Sequence, residues 1–228
     1  MRQTWRDLAF LHWEVPVAAL RALVPAALEI DTFDGRAFVG VVPFTIPRSH
    51  APLVPVPILP AFHELNVRTY VHRRGRHPGV WFFSLDAASR LAVAGARLGY
   101  ALPYRFARMT MDVRTDGGER RVGYESRRVA RTAVFRGVYG PSGPVQPAAP
   151  GTLEHFLAER YLLYAHRAGV LLRAHVEHAP YPLQAATAEV AEESVLRAAG
   201  LPATGEPLAH YASGVDVHIY APFPVPGA

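Results

Sequence analysis

The chain has no cysteine. That absence excludes disulfides, thiolate nucleophiles and cysteine-ligated zinc or iron–sulfur clusters. Lysine is missing as well, and all 24 basic side chains are arginine. A guanidinium stays protonated near neutral pH and cannot condense with a carbonyl, so no lysine Schiff base can form on this chain. With abundant alanine, glycine and proline, the missing lysine fits the codon bias of a GC-rich genome. There is no run of about 18 apolar residues, and no basic stretch followed by an apolar segment opens the sequence, so neither membrane insertion nor secretion is expected. The expected setting is the cytoplasm. No His-Glu-x-x-His, Gly-x-Ser-x-Gly, P-loop or dinucleotide-binding glycine pattern occurs. Metalloprotease, serine hydrolase, ATPase and Rossmann readings therefore have no support, and no metal or cofactor is expected.

What is present is a chain of 228 residues, half of them apolar, long enough to bury a sizeable core and expected to form one domain over residues 1–228. The net charge of +5 comes from arginines dispersed along the chain. With no Arg-rich stripe and no aromatic stacking platform, nucleic acid is not an expected partner.

The pattern reads as strands at Trp5 to Trp13, Ala37 to Phe44, Phe62 to His72, Val80 to Asp86, Phe106 to Arg114, Arg121 to Arg128 and Thr132 to Tyr139. Later strands are expected at Tyr161 to His166, Val170 to His178, Gln184 to Val190 and Val215 to Tyr220. Helices are expected at Val15 to Leu23, at Ala87 to Leu98 with Gly99 and Pro103 marking its end, and after Thr152, a residue type suited to an N-cap. Asp31-Thr32-Phe33-Asp34-Gly35 carries a hairpin turn signal. Residues 47–60 hold five prolines, which argues for a long loop, either a lid or a plain connection. Strands in series with a few inserted helices favour an α+β fold whose sheet is mostly antiparallel and barrel-like.

The segment Glu64-Leu65-Asn66-Val67-Arg68-Thr69-Tyr70 alternates strictly, so Glu64, Asn66, Arg68 and Tyr70 share one strand face. Such a face is more often wet than cavity-lining. Val80-Trp81-Phe82-Phe83-Ser84-Leu85-Asp86, however, is apolar on both faces, which suits burial on both sides. Its partner strand is then expected to be buried too, with Glu64 and Arg68 inside and paired. Arg97, Tyr104 and Arg105 gather around a helix end and a proline turn, where surface arginines are an equally fair reading. His175 and His178 fall on opposite faces of a strand, and His63 and Glu64 do likewise, so no zinc site and no His–Glu pair is expected.

Trp5-Arg6-Asp7-Leu8, His12-Trp13, Leu23-Val24-Pro25, Leu28-Glu29-Ile30-Asp31, the Glu64 to Val71 strand, Gly79 to Asp86 and Leu102-Pro103-Tyr104 together resemble the YqjF-like family of uncharacterised bacterial proteins. Glu159-Arg160-Tyr161 and Tyr181-Pro182-Leu183-Gln184 are similar to it too. That family resembles, more distantly, acetoacetate decarboxylase, which implies a barrel-like sheet with flanking helices around a central cavity. By that resemblance an active-site arginine falls on Arg6 and a cavity glutamate on Glu64. A second glutamate falls near Val39 and is missing. A Gly-Arg-Glu segment falls on Ala96-Arg97-Leu98. The Pro-Lys-Lys that carries the imine-forming lysine and its cationic neighbour falls on Pro103-Tyr104-Arg105.

The fold and cavity are thus expected without the decarboxylase reaction. The resemblance implies a pocket for a small organic anion, a carboxylate or keto acid, with Glu64 and Tyr104 in catalytic roles and Arg6, Asn66, Arg68, Arg97 and Arg105 binding. It also allows a homo-oligomer. Two readings stand: a small-molecule-binding protein or lysine-independent lyase, isomerase or hydrolase, and a structural or interaction module whose ancestral pocket has closed.

Overall fold

The computed structural model describes residues 1–50, 59–129, 133–202 and 205–226, and strands make up 59% of it. In chain order the elements are β1 (Arg2–Val15), α1 (Val17–Arg21), β2 (Glu29–Ile30), β3 (Ala37–His50), β4 (Phe62–Arg73), β5 (Arg76–Ala87), α2 (Arg90–Tyr100), β6 (Tyr104–Asp116), β7 (Glu119–Arg128) and β8 (Val134–Pro141). They continue as α3 (Leu153–Ala158), β9 (Leu162–Arg167), β10 (Val170–His178), β11 (Leu183–Glu193), α4 (Val195–Ala198), β12 (Leu208–Ile219) and β13 (Phe223–Pro224). Among the described residues no helix is long and apolar enough to cross a membrane.

One 13-stranded sheet runs in the order β13-β10-β9-β5-β6-β7-β8-β11-β12-β1-β3-β4-β2, and extra pairings of β10 with β12 and β5 with β4 curl it back on itself. The result is barrel-like without being a closed barrel. Pairings are antiparallel except those of β5 with β6 and with β9. The sheet is thus mostly antiparallel, with helices at its edges and ends.

Strands β1, β3 and β4 form a wall with a core on each side. Leu8, Phe10, Val42, Phe44 and Tyr70 face one core; Ala9, Leu11, Val39, Val41, Leu65 and Val67 face the other. A strand side chain alternates faces every residue, so a wall between two cores must be apolar on both. This is why these segments read as nearly continuous hydrophobic runs.

Several expectations need correction. Residues 47–50 are not loop: β3 continues through Pro47 to His50, paired with β1. Pro47 lies beyond the last β4 partner, Ile46 opposite Phe62, and within a register shift against β1, where a missing N–H costs no ladder bond. Residues 51–58, most of the remainder of the expected loop or lid, lie outside the described residues, as do residues 130–132 before β8. The Asp34–Gly35 turn forms, closed by reciprocal Phe33–Arg36 backbone bonds of 2.9 Å, but β2 pairs with β4, so it is not a β2–β3 hairpin. Helix α2 starts late, capped by Ser89, which accepts from the Ala92 N–H at 3.2 Å. It passes through Gly99 to a left-handed Ala101 at φ 58°.

Candidate functional site

The polar face of β4 is buried. Glu64, Asn66 and Arg68 are 3%, 6% and 7% exposed, because β9, β10 and β12 cover that side of the wall. All three line one cavity of about 70 Å³ together with Tyr104, and its apolar walls include Trp5, Phe10, Phe44, Phe82 and Ile219. At roughly 30 Å³ of liquid volume per water, the space suits a few waters or a molecule of a few heavy atoms.

Among the described residues no cation pairs with Glu64. Its Oε2 accepts the Tyr104 hydroxyl at 2.9 Å. Burial pushes its carboxyl up to about 8, with the Tyr104 and Asn66 hydrogen bonds pulling the other way and the Asp86 charge adding to the rise. At neutral pH this side chain is therefore mostly a neutral acid within reach of its conjugate base. Burial, and then the Glu64 carboxyl, raise the Tyr104 phenol well above its ordinary value, so it stays a donor.

The expected Glu64–Arg68 pair does not form. Four residues along a strand span about 13 Å, too far for both heads to meet without folding back along the strand. Arg68 instead donates from Nη2 to the Leu157 carbonyl at 3.1 Å, and its guanidinium lies 5.5 Å from the Phe10 ring centroid and 5.9 Å from that of Tyr70. No carboxylate lies within 4 Å of it among the described residues, and its Nε, like Asn66 Oδ1, is a buried polar atom with no partner. Orphaned buried polar atoms are rare in folded proteins and mark places where another group is received.

Arg160, in the same cavity, is held differently. Nη1 donates to Asp31 Oδ2 at 2.6 Å and Nε to the Phe156 carbonyl at 2.7 Å. Its charge is balanced by Asp31, whereas Arg68 has no carboxylate within 4 Å among the described residues and shares its influence on His178 and Tyr181 with the more distant Glu159. His178 and Tyr181 complete the lining. Beside them Glu159 accepts the Tyr161 hydroxyl at 2.6 Å and the Tyr181 N–H at 2.9 Å. Arg160 and Tyr181 sit within segments that carried the family resemblance, but no periodicity marked them as cavity residues.

Three of the expected binding arginines lie elsewhere. Arg6 alternates with the cavity-lining Trp5 and so faces away, and a bulge in β1 follows it: Asp7 has φ 53°, and the register against β3 shifts here. The cavity side chains of β1 therefore change parity, from Gln3 and Trp5 to Leu8 and Phe10. The Arg6 side chain is 43% exposed and donates to the Trp5 carbonyl at 2.9 Å. Opposite it, Gly214 at φ 150° leaves no room for a Cβ against the Trp5 carbonyl and the Arg6 side chain. Asp7 points to the other core, where it accepts Arg120 Nε at 2.7 Å and the Tyr211 hydroxyl at 2.6 Å. Arg105 follows Tyr104 on β6 and so takes the opposite face. Arg97 is an exposed residue of α2 whose Nε donates to the Tyr104 carbonyl at 2.8 Å. Val39 packs in the second core. His63 bonds Thr45 Oγ1 at 3.1 Å, away from the cavity, as its alternation with Glu64 requires. Among the described residues no cluster of three or more His, Cys, Asp or Glu side chains is placed to hold a metal ion.

Known proteins share this fold and sequence pattern. The model of the DUF2071 family, described as an uncharacterized conserved protein, matches residues 2–216. The chain is 42% identical over 220 residues to the uncharacterized protein YqjF of Bacillus subtilis (strain 168), covering 95% of this chain and 89% of that one. Among solved structures it resembles the acetoacetate decarboxylase of Legionella pneumophila subsp. pneumophila str. Philadelphia 1, with a TM-score of 0.72 at 12% identity over 98% of this chain and 86% of that one. It also resembles the enduracididine biosynthesis enzyme MppR complexed with pyruvate, with a TM-score of 0.67 at 13% identity over 98% and 89%. At such identities the likeness is one of fold.

Proposed function

Since the chain belongs to the DUF2071 family and has the acetoacetate decarboxylase-like fold, we propose that it binds a small organic acid, a carboxylate or keto acid, in the cavity between Arg68 and Glu64. The observation that carries this reading is Arg68: a buried guanidinium with no carboxylate partner and an orphaned Nε, in a cavity whose own acid is neutral. Burying an unpaired charge is costly, and a ligand carboxylate would supply the missing charge-assisted hydrogen bond. The likeness to MppR, solved with pyruvate, supports a ligand of that class.

At the other end of the cavity Glu64 would handle the proton. A carboxyl that titrates near 8 is available in both forms around neutrality, giving a proton to a carbonyl oxygen or taking one from the adjacent carbon. Tyr104 would donate to the oxygen on which charge develops. A chain without lysine forms no lysine imine, so any reaction here is lysine-independent lyase, isomerase or hydrolase chemistry, distinct from that of the decarboxylases it resembles.

The volume favours a second reading. At about 70 Å³ the cavity is well below the roughly 300 Å³ at which ordinary ligand sites begin, and the Tyr104–Glu64 bond stands inside it, as in a closed structural module. Thermal unfolding with acetate, pyruvate, acetoacetate and a neutral ketone separates the two. The binding reading predicts that the acids raise Tm, that the ketone does not, and that Arg68→Met abolishes the rise. A flat response to all four in the wild type leaves the closed module standing.

A further inference from the structure

The arginines that the cavity does not take up meet on the far side of β6. Arg90, Arg97, Arg105 and Arg128 line a separate pocket of about 420 Å³, with Val93, Ala94, Phe106 and Val129 as its apolar part. That volume lies within the range of small-molecule sites. Tyr104 and Arg105 are neighbours on one strand, so the two pockets sit back to back. Arg97 spans them, being a wall of one while holding the Tyr104 carbonyl that bounds the other.

The charge here is not balanced. No acidic side chain lines the pocket among the described residues. The buried Asp86 accepts Arg128 Nε at 2.7 and 2.8 Å, and the Arg105 charge also favours its ionised form. Beyond the Arg128–Asp86 pair, Arg90 and Arg97 have no carboxylate within 4 Å among the described residues, which leaves a surplus of two positive charges without counting Arg105. The forks are also already ordered. Arg128 is fixed by Asp86 and by Ser84 Oγ at 2.5 Å, Arg90 lies 4.3 Å over the Phe106 ring, and Arg97 is anchored through Nε, which leaves its two terminal nitrogens for another acceptor. Such planar donor forks, held in place before binding, suit a multiply charged oxyanion, and the apolar side suits an organic group attached to it.

We propose that this pocket, formed by Arg90, Arg97, Arg105 and Arg128 between α2, β6 and β7, binds a small molecule carrying a multiply charged phosphate. The site is separate from the organic-acid cavity and does not depend on it. Isothermal titration at constant ionic strength with inorganic phosphate, pyrophosphate, phenyl phosphate, citrate and benzoate tests it. Saturable binding of the phosphates is expected, with benzoate far weaker. The exposed pair Arg90→Gln and Arg97→Gln together should weaken phosphate binding about tenfold or more, since each removes a charge-assisted contact. Arg68→Met should leave it unchanged, so the two sites fail or stand separately. The proposal is overturned if no phosphate binds saturably, if the double variant binds as tightly as the wild type, if Arg68→Met abolishes binding, or if citrate binds more tightly than every phosphate.

Discussion

Two buried carboxylates sit side by side on paired strands and are treated in opposite ways. Glu64 on β4 lies opposite Ala87 of β5, and Asp86 lies opposite Leu65, so the two acids are one register step apart. Their exposures are 3% and 0%. Burial pushes both carboxyls up, but at Asp86 the Arg128 guanidinium pulls back, whereas at Glu64 only a phenol and an amide do. The same fold gives Asp7 an arginine and Asp31 another. Those three carboxylates are satisfied by arginine, whereas the buried Glu159 is held by the Tyr161 hydroxyl and the Tyr181 N–H. Among the described residues Glu64 is the acid that lines the cavity, which is where proton-transfer groups are found.

The sharpest test compares the two arginines. Arg128→Met strands a fully buried Asp86 carboxylate and should cost about 3–5 kcal/mol of unfolding free energy. Arg68→Met strands no acid and should cost far less, since a group retained for binding need not contribute to stability. Urea unfolding of both variants reads this directly. Equal losses would erase the distinction between a structural and a binding arginine.

The acids themselves give the next effect. Between about pH 4.5 and 8 the folded Glu64 holds a proton that the unfolded chain has released, so raising pH through that window destabilises the fold. The slope is about 1.4 kcal/mol per pH unit, or about 2–3 kcal/mol from pH 5 to 7. Glu64→Gln removes this dependence. Buried histidines such as His12, whose pKa burial lowers, act in the opposite direction but are common to both proteins. The difference between wild type and variant at the two pH values therefore isolates Glu64. An unchanged difference would mean that Glu64 is ionised throughout.

The burial of Glu64 was legible in the sequence, and the partners of the two acids were not. Alternation along Glu64 to Tyr70 and the apolar run of β5 placed Glu64, Asn66 and Arg68 on one buried face, because period two survives wherever a strand is regular. Arg6 was placed in the cavity by likeness to an active-site arginine, but it alternates with the cavity-lining Trp5, and the left-handed Asp7 reverses the parity of β1 only after it. Arg105 was placed in the cavity by likeness to a Pro-Lys-Lys segment, although its alternation with Tyr104 puts it on the other face. The pairing of Glu64 with Arg68 overlooked distance along the strand. Arg160 and Asp31 come together from segments 129 residues apart, a contact that no local pattern encodes. Pro47 suggested loop because the sequence does not reveal which strand face has lost its neighbour.

The smallest expected effect bears most directly on whether the cavity is a site or a plug. Tyr104→Phe keeps the ring and removes the hydroxyl that bonds Glu64, a loss of about 1 kcal/mol. If Tyr104 only fills space, little else changes. If it tunes the acid, Glu64 loses a hydrogen bond that favours its ionised form, and its carboxyl rises further above about 8. The pH window over which the wild type loses stability then extends upward in the variant. That extension is measurable by urea unfolding between pH 7 and 9, and its absence would leave Tyr104 as packing and Glu64 as a carboxyl set by burial alone.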